Sequence, residues 1–476
     1  MNNNRVPTGI DGLDKIIEGG FPKNSLIIIA GNPGTGKTVL SAQFLYRGAV
    51  NYGENGVYVS FAENRETFYK NMRPFGFNFE KLEEENKFRF LSLLTVKEKA
   101  ISSILKIVLR EISQINAKRL VIDSFSAVAQ AFMEPHDVRI LIHTVLGRIV
   151  QQMGCTTLMI VEVPYGENKI GLGIEEFLAD GVIHLRVRRL EERLFRDMSI
   201  RKMRGTEVRE DEIGFTIKDE FKAFAPFETK KIGKREKFKP LPDLPEKFST
   251  GSRELDGLLD GGYPRGSTVL LEIGRDISAL QYHLILLPTP WNFLAKGAGV
   301  VVIPSSGIDH NIVWKRSAES GLPKEILNRH LRVCIFRSPA TKKEPYILEI
   351  EGKNADEDYQ KCLKFAMALY EETSQPLLYV IGVDSLLAHY GTNDTLKVLN
   401  SSATLTREYK GLLFLLLKPG YPRVSEILNA IAEIHLKIIQ RHGALLLYGL
   451  KPRTHLHFVE MDVTRGYPQP KLTPIF

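Results

Sequence analysis

The chain has 476 residues, of which 43% are hydrophobic and 25% are charged, so it is long enough for two packed domains and too apolar to be disordered. It contains no run of about 18 uninterrupted apolar residues and its opening stretch is polar, so we expect neither a membrane-spanning helix nor a secretory signal, but a soluble cytoplasmic protein without membrane partners. The formal net charge of +8 is compatible with nucleic acid or acidic partners without requiring them.

In the first half of the chain, short β-rich runs alternate with longer stretches that are compatible with helices. The β-rich runs are residues 25–30, 56–61, 119–122 and 156–161. Residues 101–115 place their isoleucine, leucine and valine side chains at helical spacing. This alternation predicts an α/β fold, with a mainly parallel central sheet flanked by helices on both faces.

The strongest chemical signal directly follows the first β-rich run. It fits the phosphate-binding pattern GxxxxGK[ST] at every specified position, and its residues are Gly31, Asn32, Pro33, Gly34, Thr35, Gly36, Lys37 and Thr38. The glycines let the backbone form a nest of N–H groups for phosphate oxygens, at the positive end of the following helix. Lys37 would contact the β- and γ-phosphates and the Thr38 hydroxyl would bind Mg²⁺, so the motif predicts binding of ATP with Mg²⁺.

Three carboxylates end the later β-rich runs. Asp123 is predicted to contact Mg²⁺ directly or through water, because ligands gather at the carboxyl ends of strands in open α/β sheets; the alternative is a strand-end cap. Glu63 is predicted to orient or deprotonate the attacking water, and its alternative is a surface carboxylate at a helix start. Glu162 is a weaker catalytic candidate, as a group that senses the γ-phosphate.

An arginine-rich stretch follows these motifs. Its cations are Arg186, Arg188, Arg189, Arg193 and Arg196, which are interspersed with apolar side chains. This pattern favours a solvated face of a strand or hairpin, and a binding surface is the alternative.

Six segments of the first half agree in order with a known family. They are TGIDGLDKIIEGGFPKNS, GNPGTGKT, YVSFAEN, VIDSFSAV, IEEFLADGVIHL and KMRGTE. Across roughly residues 5–220 they resemble the KaiC group of RecA-like ATPases. The resemblance implies a RecA-like core that assembles into a homo-oligomeric, hexameric ring with ATP held between neighbouring subunits. It also implies that Lys202 and Arg204 act catalytically on the ATP of the adjacent subunit; read without the family, they are alternating charges on a strand.

One departure from the family concerns the predicted base. Many members carry two adjacent glutamates where this chain has Ala62 and Glu63. A single carboxylate must then do the work, so we expect slow ATP hydrolysis.

A basic segment divides the chain after this first domain. Its cations are Lys230, Lys231, Lys234, Arg235, Lys237 and Lys239, with Glu236 among them and three prolines close behind. Such a composition is typical of an exposed linker. We therefore expect an ATPase domain at residues 1–225, a linker at 226–247 and a second domain at 248–476.

The second domain repeats the first. Thr8-Gly9, Leu13-Asp14, Gly19-Gly20, Pro22 and Ser25 recur at a constant offset of 242 residues, as Thr250-Gly251, Leu255-Asp256, Gly261-Gly262, Pro264 and Ser267. An offset of this size indicates a whole domain duplicated in tandem. The repeat predicts tandem RecA-like domains.

The second copy has lost the phosphate-binding motif. Its loop, residues 274–280, has no lysine at the P-loop position, and Ser306 falls opposite Glu63. Asp384 falls opposite Asp123, and the late TRG segment at 464–466 lacks the lysine of the K-x-R-G segment. We expect this domain to fold without hydrolysing ATP.

Three functions fit these patterns. The first is a regulatory or signalling ATPase whose nucleotide state alters assembly or the binding of a protein partner. The second is a nucleic-acid-acting RecA-type ATPase, which is not favoured because no DNA-binding module or basic stripe with interleaved aromatic residues is visible. The third is an ATP-gated transcriptional regulator resembling the gas-vesicle repressors, for which residues 186–196 would be the matching feature. The three cysteines show no metal-ligand spacing, so no zinc site or disulfide framework is expected.

Overall fold

The structure is a computed structural model that describes residues 4–93, 101–127, 142–143, 145–166, 170, 175–337 and 344–476. The chain divides into two compact units. The first comprises Met1–Pro226, His442–Ala444 and Pro474–Phe476, and the second comprises Phe227–Arg441 and Leu445–Thr473. Val128 and Ile174, which end and begin two of the segments that match the KaiC group, lie outside the described residues.

The first unit alternates strands and helices. Its strands are β1 (Arg5–Val6), β2 (Phe21–Pro22), β3 (Leu26–Gly31), β4 (Gly56–Ser60), β5 (Phe88–Ser92), β6 (Arg119–Asp123), β7 (Thr156–Glu162), β8 (Gly181–Leu190), β9 (Arg193–Met203), β10 (Glu212–Thr216) and β11 (Lys222–Phe224). Its helices are α1 (Asp11–Ile16), α2 (Lys37–Asn51), α3 (Arg65–Met72), α4 (Phe79–Glu84), α5 (Ile101–Gln114) and α6 (Glu175–Leu178), with a 3₁₀ turn at Arg73–Phe75 and a π-helical segment at Val145–Gln152. The four predicted strands correspond to β3, β4, β6 and β7, and the predicted helix corresponds to α5.

The main sheet of the first unit brings the predicted site strands together. Its order, in the part of the chain that the structure describes, is β11-β10-β9-β8-β3-β7-β6-β4-β5. From β8 to β5 the neighbouring strands pair in parallel, and β9 to β11 continue the sheet antiparallel. The strands that carry the predicted site residues, β3, β7, β6 and β4, are consecutive. Their carboxyl ends therefore meet at one edge of the sheet.

Both faces of this sheet are covered. Along β3, Ile27 and Ile29 pack with Phe44 of α2 in one core, whereas Ile28 packs with Ile112 of α5 in the other. The three isoleucines are fully buried, and burial of each stabilises the fold by roughly 1.5–3 kcal/mol. A strand buried on both faces reads as a continuous apolar run, which is the reason that β3 was recognisable in the sequence.

The second unit has the same plan. Its strands are β12 (Lys247–Phe248), β13 (Tyr263–Pro264), β14 (Ser267–Ile273), β15 (Val300–Ile303), β16 (Leu331–Phe336), β17 (Ile347–Ile350), β18 (Leu378–Gly382), β19 (Leu412–Leu417), β20 (Ile434–Arg441), β21 (Ala444–Lys451), β22 (His457–Asp462) and β23 (Gln469–Pro474). Its helices are α7 (Arg253–Leu258), α8 (Ala279–Leu286), α9 (Pro288–Ala295), α10 (His310–Ala318), α11 (Lys324–His330), α12 (Ala355–Thr373), α13 (Val383–Glu408) and α14 (Pro422–Ile431).

The strand order confirms the predicted duplication. The main sheet of the second unit runs β17-β16-β15-β18-β19-β14-β20-β21-β22-β23 within the described residues. When β14 is set against β3, this order matches that of the first sheet strand by strand, and β17 is an additional edge strand. The predicted fold class, tandem α/β domains of the RecA type with mainly parallel sheets, is confirmed. In the described part of the chain, the helices are too short or too polar to cross a membrane.

Candidate active site

The P-loop lies between β3 and α2, and its glycines shape it. Gly34 and Gly36 have φ angles of 77° and 99°, in the left-handed region that side chains with a Cβ rarely adopt. Gly36 is the N-cap of α2 and offers no side chain to the helix start. The first N–H groups of α2 are therefore left for an external acceptor, at the positive end of the helix.

Lys37 is buried at the start of α2. Its ammonium group donates hydrogen bonds to the carbonyl oxygens of Gly31 and Asn32, each at 2.9 Å. Burial lowers the pKa of Lys37, and the nearby Glu162 and Asp123 carboxylates act in the opposite direction. The cation is thus held at the loop whose N–H groups would face the phosphates.

Other side chains fix the shape of the loop. The Asn32 amide donates to the carbonyl oxygens of Val163 at 2.8 Å and Pro164 at 3.0 Å, just beyond β7. Thr35 Oγ1 donates to the Asn32 carbonyl at 2.8 Å. Each of these hydrogen bonds joins a side chain of the loop to a backbone carbonyl oxygen, so the loop conformation is fixed before a ligand binds.

A hydroxyl and a carboxylate meet beside the P-loop. Thr38 Oγ1 lies 3.1 Å from Asp123 Oδ2, and the Tyr58 hydroxyl also donates to Oδ2. Burial raises the pKa of Asp123, against the hydrogen bonds from Tyr58 and Thr38 and the charge of Lys37, which lower it. Two oxygen ligands at this spacing suit Mg²⁺, which takes one or two protein ligands together with substrate phosphates. Within the described residues, no group of three or more metal-ligating side chains exists.

Glu63 follows β4, next to Asp123 in the sheet, since Ser60 of β4 pairs with Asp123 of β6. Its carboxylate accepts a hydrogen bond of 3.3 Å from the Asn71 amide, and its N–H donates to Ser60 Oγ at 3.0 Å. Burial raises the pKa of Glu63, and the Asp123 charge raises it further. A half-buried carboxyl group with a raised pKa is the kind of group that accepts a proton from water near neutral pH.

Glu162 ends β7 opposite the first P-loop residue. It pairs with Gly31 in the parallel ladder of β3 and β7, and its backbone N–H donates to Ser126 Oγ at 2.8 Å. Its side chain is exposed. The sheet order therefore brings Glu162, Asp123 and Glu63 to the same edge as the P-loop.

Lys202 and Arg204 lie at the opposite end of the sheet. Gly181 of β8 pairs both with Ile27, near the start of β3, and with Met203 of β9. At about 3.3 Å per residue, the length of β3 separates this end from the P-loop by roughly 17 Å. The structure does not bring these two cations to the P-loop of their own chain.

The two cations are held by α6 and by the turn between α6 and β8. Lys202 Nζ donates to the carbonyl oxygens of Glu176 and Phe177 at 3.0 and 3.3 Å. Arg204 Nη1 binds Asp180 Oδ1 at 3.1 Å. Phe177, beside them, is 76% exposed although it is a large apolar side chain. An exposed aromatic residue next to two cations is typical of a surface that meets another molecule.

The arginine-rich stretch forms the hairpin β8–β9, and the prediction of a solvated face holds for only part of it. Arg188 and Arg189 are exposed, but Arg196 is buried. Four consecutive residues of β9, 195–198, are buried, so both faces of the strand are covered there. Arg196 Nη1 donates to the carbonyl oxygen of Gly34 at 3.1 Å, so Arg196 contacts the P-loop, which the sequence motif does not predict.

The equivalent loop of the second unit is built differently. Helix α8 starts after Ser278, whose side chain accepts a hydrogen bond from the Gln281 backbone while the Gln281 side chain accepts one from the Ser278 N–H, forming a capping box. Ala279 stands where the first unit has Lys37. The expected match of Asp384 with Asp123 needs a correction: Asp384 lies in the first turn of α13, beyond the strand residue Ile381 that pairs with Ile303.

Two family models match different parts of the chain. The family model described as "ATPase: KaiC" matches residues 6–224, and one described as "GvpD basic region 2" matches residues 237–316. A UPF0273 protein of Thermotoga maritima is 35% identical over 216 residues, which are 42% of this chain and 88% of that protein. Protein GvpD2 of Halobacterium salinarum is 26% identical over 490 residues, a match that covers 94% of this chain and 92% of that protein. A crystal structure of a KaiC-like protein from Pyrococcus horikoshii is 38% identical and matches 46% of this chain and 98% of that one, with a TM-score of 0.42.

Proposed function

Since the chain belongs to the KaiC-like family of RecA-superfamily P-loop ATPases, we propose that its first unit binds ATP with Mg²⁺ and hydrolyses it slowly, and that the nucleotide state regulates the binding of a protein partner. The observation that carries this proposal is the start of α2. There an uncapped helix end, the buried Lys37 and the Thr38–Asp123 pair converge on one edge of the sheet. This set of groups is what a triphosphate with its metal requires.

The residues of the first unit divide the chemistry among them. The loop N–H groups and Lys37 hold the phosphates. Glu63 accepts a proton from the attacking water. The oxygen of that water bonds to the γ-phosphorus, and the bond between the γ-phosphorus and the β–γ bridging oxygen breaks. ADP and phosphate are the products. A positioned general base contributes typically about 10²- to 10⁴-fold to such a step. Glu162 lies on the P-loop side of the same edge, where it can sense whether the γ-phosphate is present.

Thr38 and Asp123 are the residues that would hold Mg²⁺. When bound, the ion neutralises charge that develops on the phosphate oxygens. The Tyr58 hydroxyl, which donates to Asp123, orients the carboxylate toward Thr38.

The active site of this proposal is shared between subunits. Lys202 and Arg204 lie at the end of the sheet remote from their own P-loop, and the exposed Phe177 lies beside them. A homo-oligomeric ring, hexameric by family expectation, would set this edge against the ATP of the neighbouring subunit. The arginine would then neutralise transition-state charge only in the assembled state.

A partner-capture experiment tests the regulatory part of the proposal. Full-length Glu63→Gln protein with ATP and Lys37→Ala protein without nucleotide are each used to capture proteins from an extract of the source cells. We expect a partner that is enriched on one of the two forms and competed away by the untagged protein of the same form. Equal capture by both forms would show that the nucleotide state does not control partner binding.

A second candidate function is an ATP-gated transcriptional regulator. The observation that favours it is the match to Protein GvpD2, which runs through both units rather than the first alone, together with the match to GvpD basic region 2. Under this function the partner is a component of transcription. Reporter expression from promoters of the source organism should then change with Lys37→Ala, whereas a purely enzymatic role predicts no change.

A further inference from the structure

The basic segment that follows the first unit belongs to the second unit and exposes a cluster of positive charges. Its six cations, Lys230, Lys231, Lys234, Arg235, Lys237 and Lys239, are all exposed, and we call them the cation strip. In the described part of the chain none of them forms a salt bridge, although Glu236 lies among them and Asp462 is near Lys230. Six exposed cations within ten residues repel one another, and a polyanion would relieve that repulsion.

Aromatic packing holds the strip in place. Phe238 is buried, with its ring 5.8 Å from that of Trp291 and 5.1 Å from that of Tyr467. The Phe238 N–H donates to the Ser320 carbonyl at 2.7 Å. This side chain and this backbone bond attach the middle of the strip to the folded body of the second unit, so the strip is not the free linker that its composition predicts.

A glycine gives the strip room to lie against the unit. The Glu236 N–H donates to the carbonyl oxygen of Gly466 at 3.3 Å. Gly466 has a φ of 79°, and a Cβ at that position would meet the Glu236 nitrogen at 2.6 Å. Any other residue at 466 would therefore push the strip away.

In the attached part of the strip, the aromatic side chain is buried and the cations are exposed to solvent. Phe238 points inward, and its neighbours Lys237 and Lys239, like Arg235, are exposed. These three cations lie within five residues and are exposed where Phe238 is buried. Because Phe238 and two backbone hydrogen bonds hold this part of the segment in place, binding of a ligand to these cations costs less conformational entropy than binding to a flexible tail.

We propose that the cation strip binds the phosphate backbone of duplex nucleic acid. Phosphate contacts need clustered cations and no sequence-reading groups, and the strip places six exposed cations within ten residues. Binding of single strands relies on exposed aromatic rings that stack on bases, and both aromatic residues of 227–247, Phe227 and Phe238, are at least partly buried. The surface is therefore suited to a duplex. This proposal concerns residues of the second unit and does not depend on ATP hydrolysis.

Fluorescence anisotropy of a labelled DNA duplex of about 20 base pairs tests the proposal with the full-length chain and no nucleotide. Affinity should fall with KCl, with a logarithmic slope of about −0.9 for each phosphate contact. The triple variant Lys234→Gln, Lys237→Gln, Lys239→Gln should lose about 2.7 from the magnitude of that slope and weaken binding at low salt by about tenfold or more.

A matched control removes the same charge elsewhere on the second unit. The control variant changes three exposed lysines outside the strip, in the substitutions Lys353→Gln, Lys364→Gln and Lys397→Gln. Its DNA affinity should depend on the KCl concentration with the same slope as that of the wild type. Equal weakening by both triple variants would refute a specific strip and leave only the effect of net charge. Tighter binding of polyglutamate than of the duplex would overturn the proposal in favour of an acidic protein segment, and equal affinity for single strands would overturn the preference for a duplex.

The proposed ATPase function can fail without affecting this result. Lys37→Ala removes the P-loop cation of the first unit and should bind the duplex as the wild type does. Loss of DNA binding in the strip variant alone, with unchanged ATP turnover and an unchanged melting temperature, is the expected pattern.

Discussion

Helices α2 and α8 occupy corresponding positions in the two units, each following the central strand of its sheet. Only α2 starts without a side-chain cap, so only its first N–H groups are free of side-chain partners. In the first unit, α2 begins at Gly36 with no side-chain cap. In the second, the side chains of Ser278 and Gln281 occupy the first backbone groups of α8. The capping box satisfies two N–H groups at the end of the helix where a phosphate would bind, those of Ser278 and Gln281, and stabilises the helix by about 1 kcal/mol. The local change that closes this helix end thus also stabilises the helix.

The strand ends differ in charge as well. Glu162 follows Val161 of β7, whereas Lys418 follows the corresponding Leu417 of β19. Lys418 Nζ lies 3.9 Å from Asp384 Oδ2 and donates to the Ser306 carbonyl. At the position of Glu162 the second unit therefore has an ammonium group that faces its own acidic residue, whereas the first unit has a second carboxylate there.

What both units keep is the sheet. Their strand orders match, and buried aliphatic side chains cover both faces in each. Burial of that apolar area does not depend on the loop, so the loop chemistry can change without loss of the fold. The comparison teaches that fold and phosphate chemistry are separable in this chain.

Lys37→Ala should have the largest effect. We expect loss of tight ATP binding and of all Mg²⁺-dependent hydrolysis by the full-length chain, because the second unit has no substitute for this lysine. Nucleotide titration and phosphate release measure the two properties separately. Residual turnover in highly purified protein would mean that the second unit also hydrolyses ATP.

Introducing a lysine at the corresponding position of the second unit tests whether the lysine alone distinguishes the two loops. In the Lys37→Ala background, Ala279→Lys should restore neither binding nor turnover, since Ser278 still caps α8 and Lys418 still neutralises Asp384. Recovery of ATP binding would indicate that the missing lysine is the one important difference between the two loops.

Arg204→Ala should reduce turnover by about 10³-fold or more, as expected for loss of an arginine that acts across an interface. Lys37→Ala and Arg204→Ala proteins, each inactive, should recover partial activity when mixed, because some interfaces then contain both intact parts. Size-exclusion chromatography must first establish that the two proteins co-assemble. Co-assembly without recovery would argue for a site contained within one chain.

Glu63→Gln should leave ATP affinity nearly unchanged and slow hydrolysis by about 10²-fold. Because the pKa of Glu63 is raised, the ionised base is lost as the pH falls through that value, and the wild-type rate should decline at a pH above the ordinary pKa of glutamate. The Gln variant should show no such acid limb. A normal rate for Glu63→Gln would move the role of base to Glu162.

Ser278→Ala should have the smallest effect and should be confined to the second unit. We expect the free energy of unfolding to fall by about 0.5–2 kcal/mol through loss of the cap. Both tryptophans, Trp291 and Trp314, lie in the second unit, so their fluorescence during urea unfolding reports on that unit. Ser278→Asp, which keeps an acceptor, should retain the stability, and ATP turnover should not change in either variant.

Local patterns accounted for the parts of the site that are close in sequence. The P-loop, its flanking strand and helix, and the carboxylates at the ends of β4, β6 and β7 follow from spacing and from strand ends. The convergence of Glu63, Asp123 and Glu162 also followed, because parallel strands place their carboxyl ends at one edge. The position of Arg196 on the carbonyl oxygen of Gly34 did not follow, since it depends on which strands are neighbours in the sheet.

The tandem α/β fold, with one intact and one degenerate phosphate loop, follows from motif spacing and apolar periodicity, because both are local properties of the chain. The contact of Lys418 with Asp384 and the packing of Phe238 that attaches the cation strip to the second unit are visible only in the folded chain. These contacts join residues that are far apart in the chain, and their energy comes from packing and charge in three dimensions. The segment has the composition of a linker, and it is nevertheless attached to the second unit, because the buried ring of Phe238 packs against Trp291 and Tyr467.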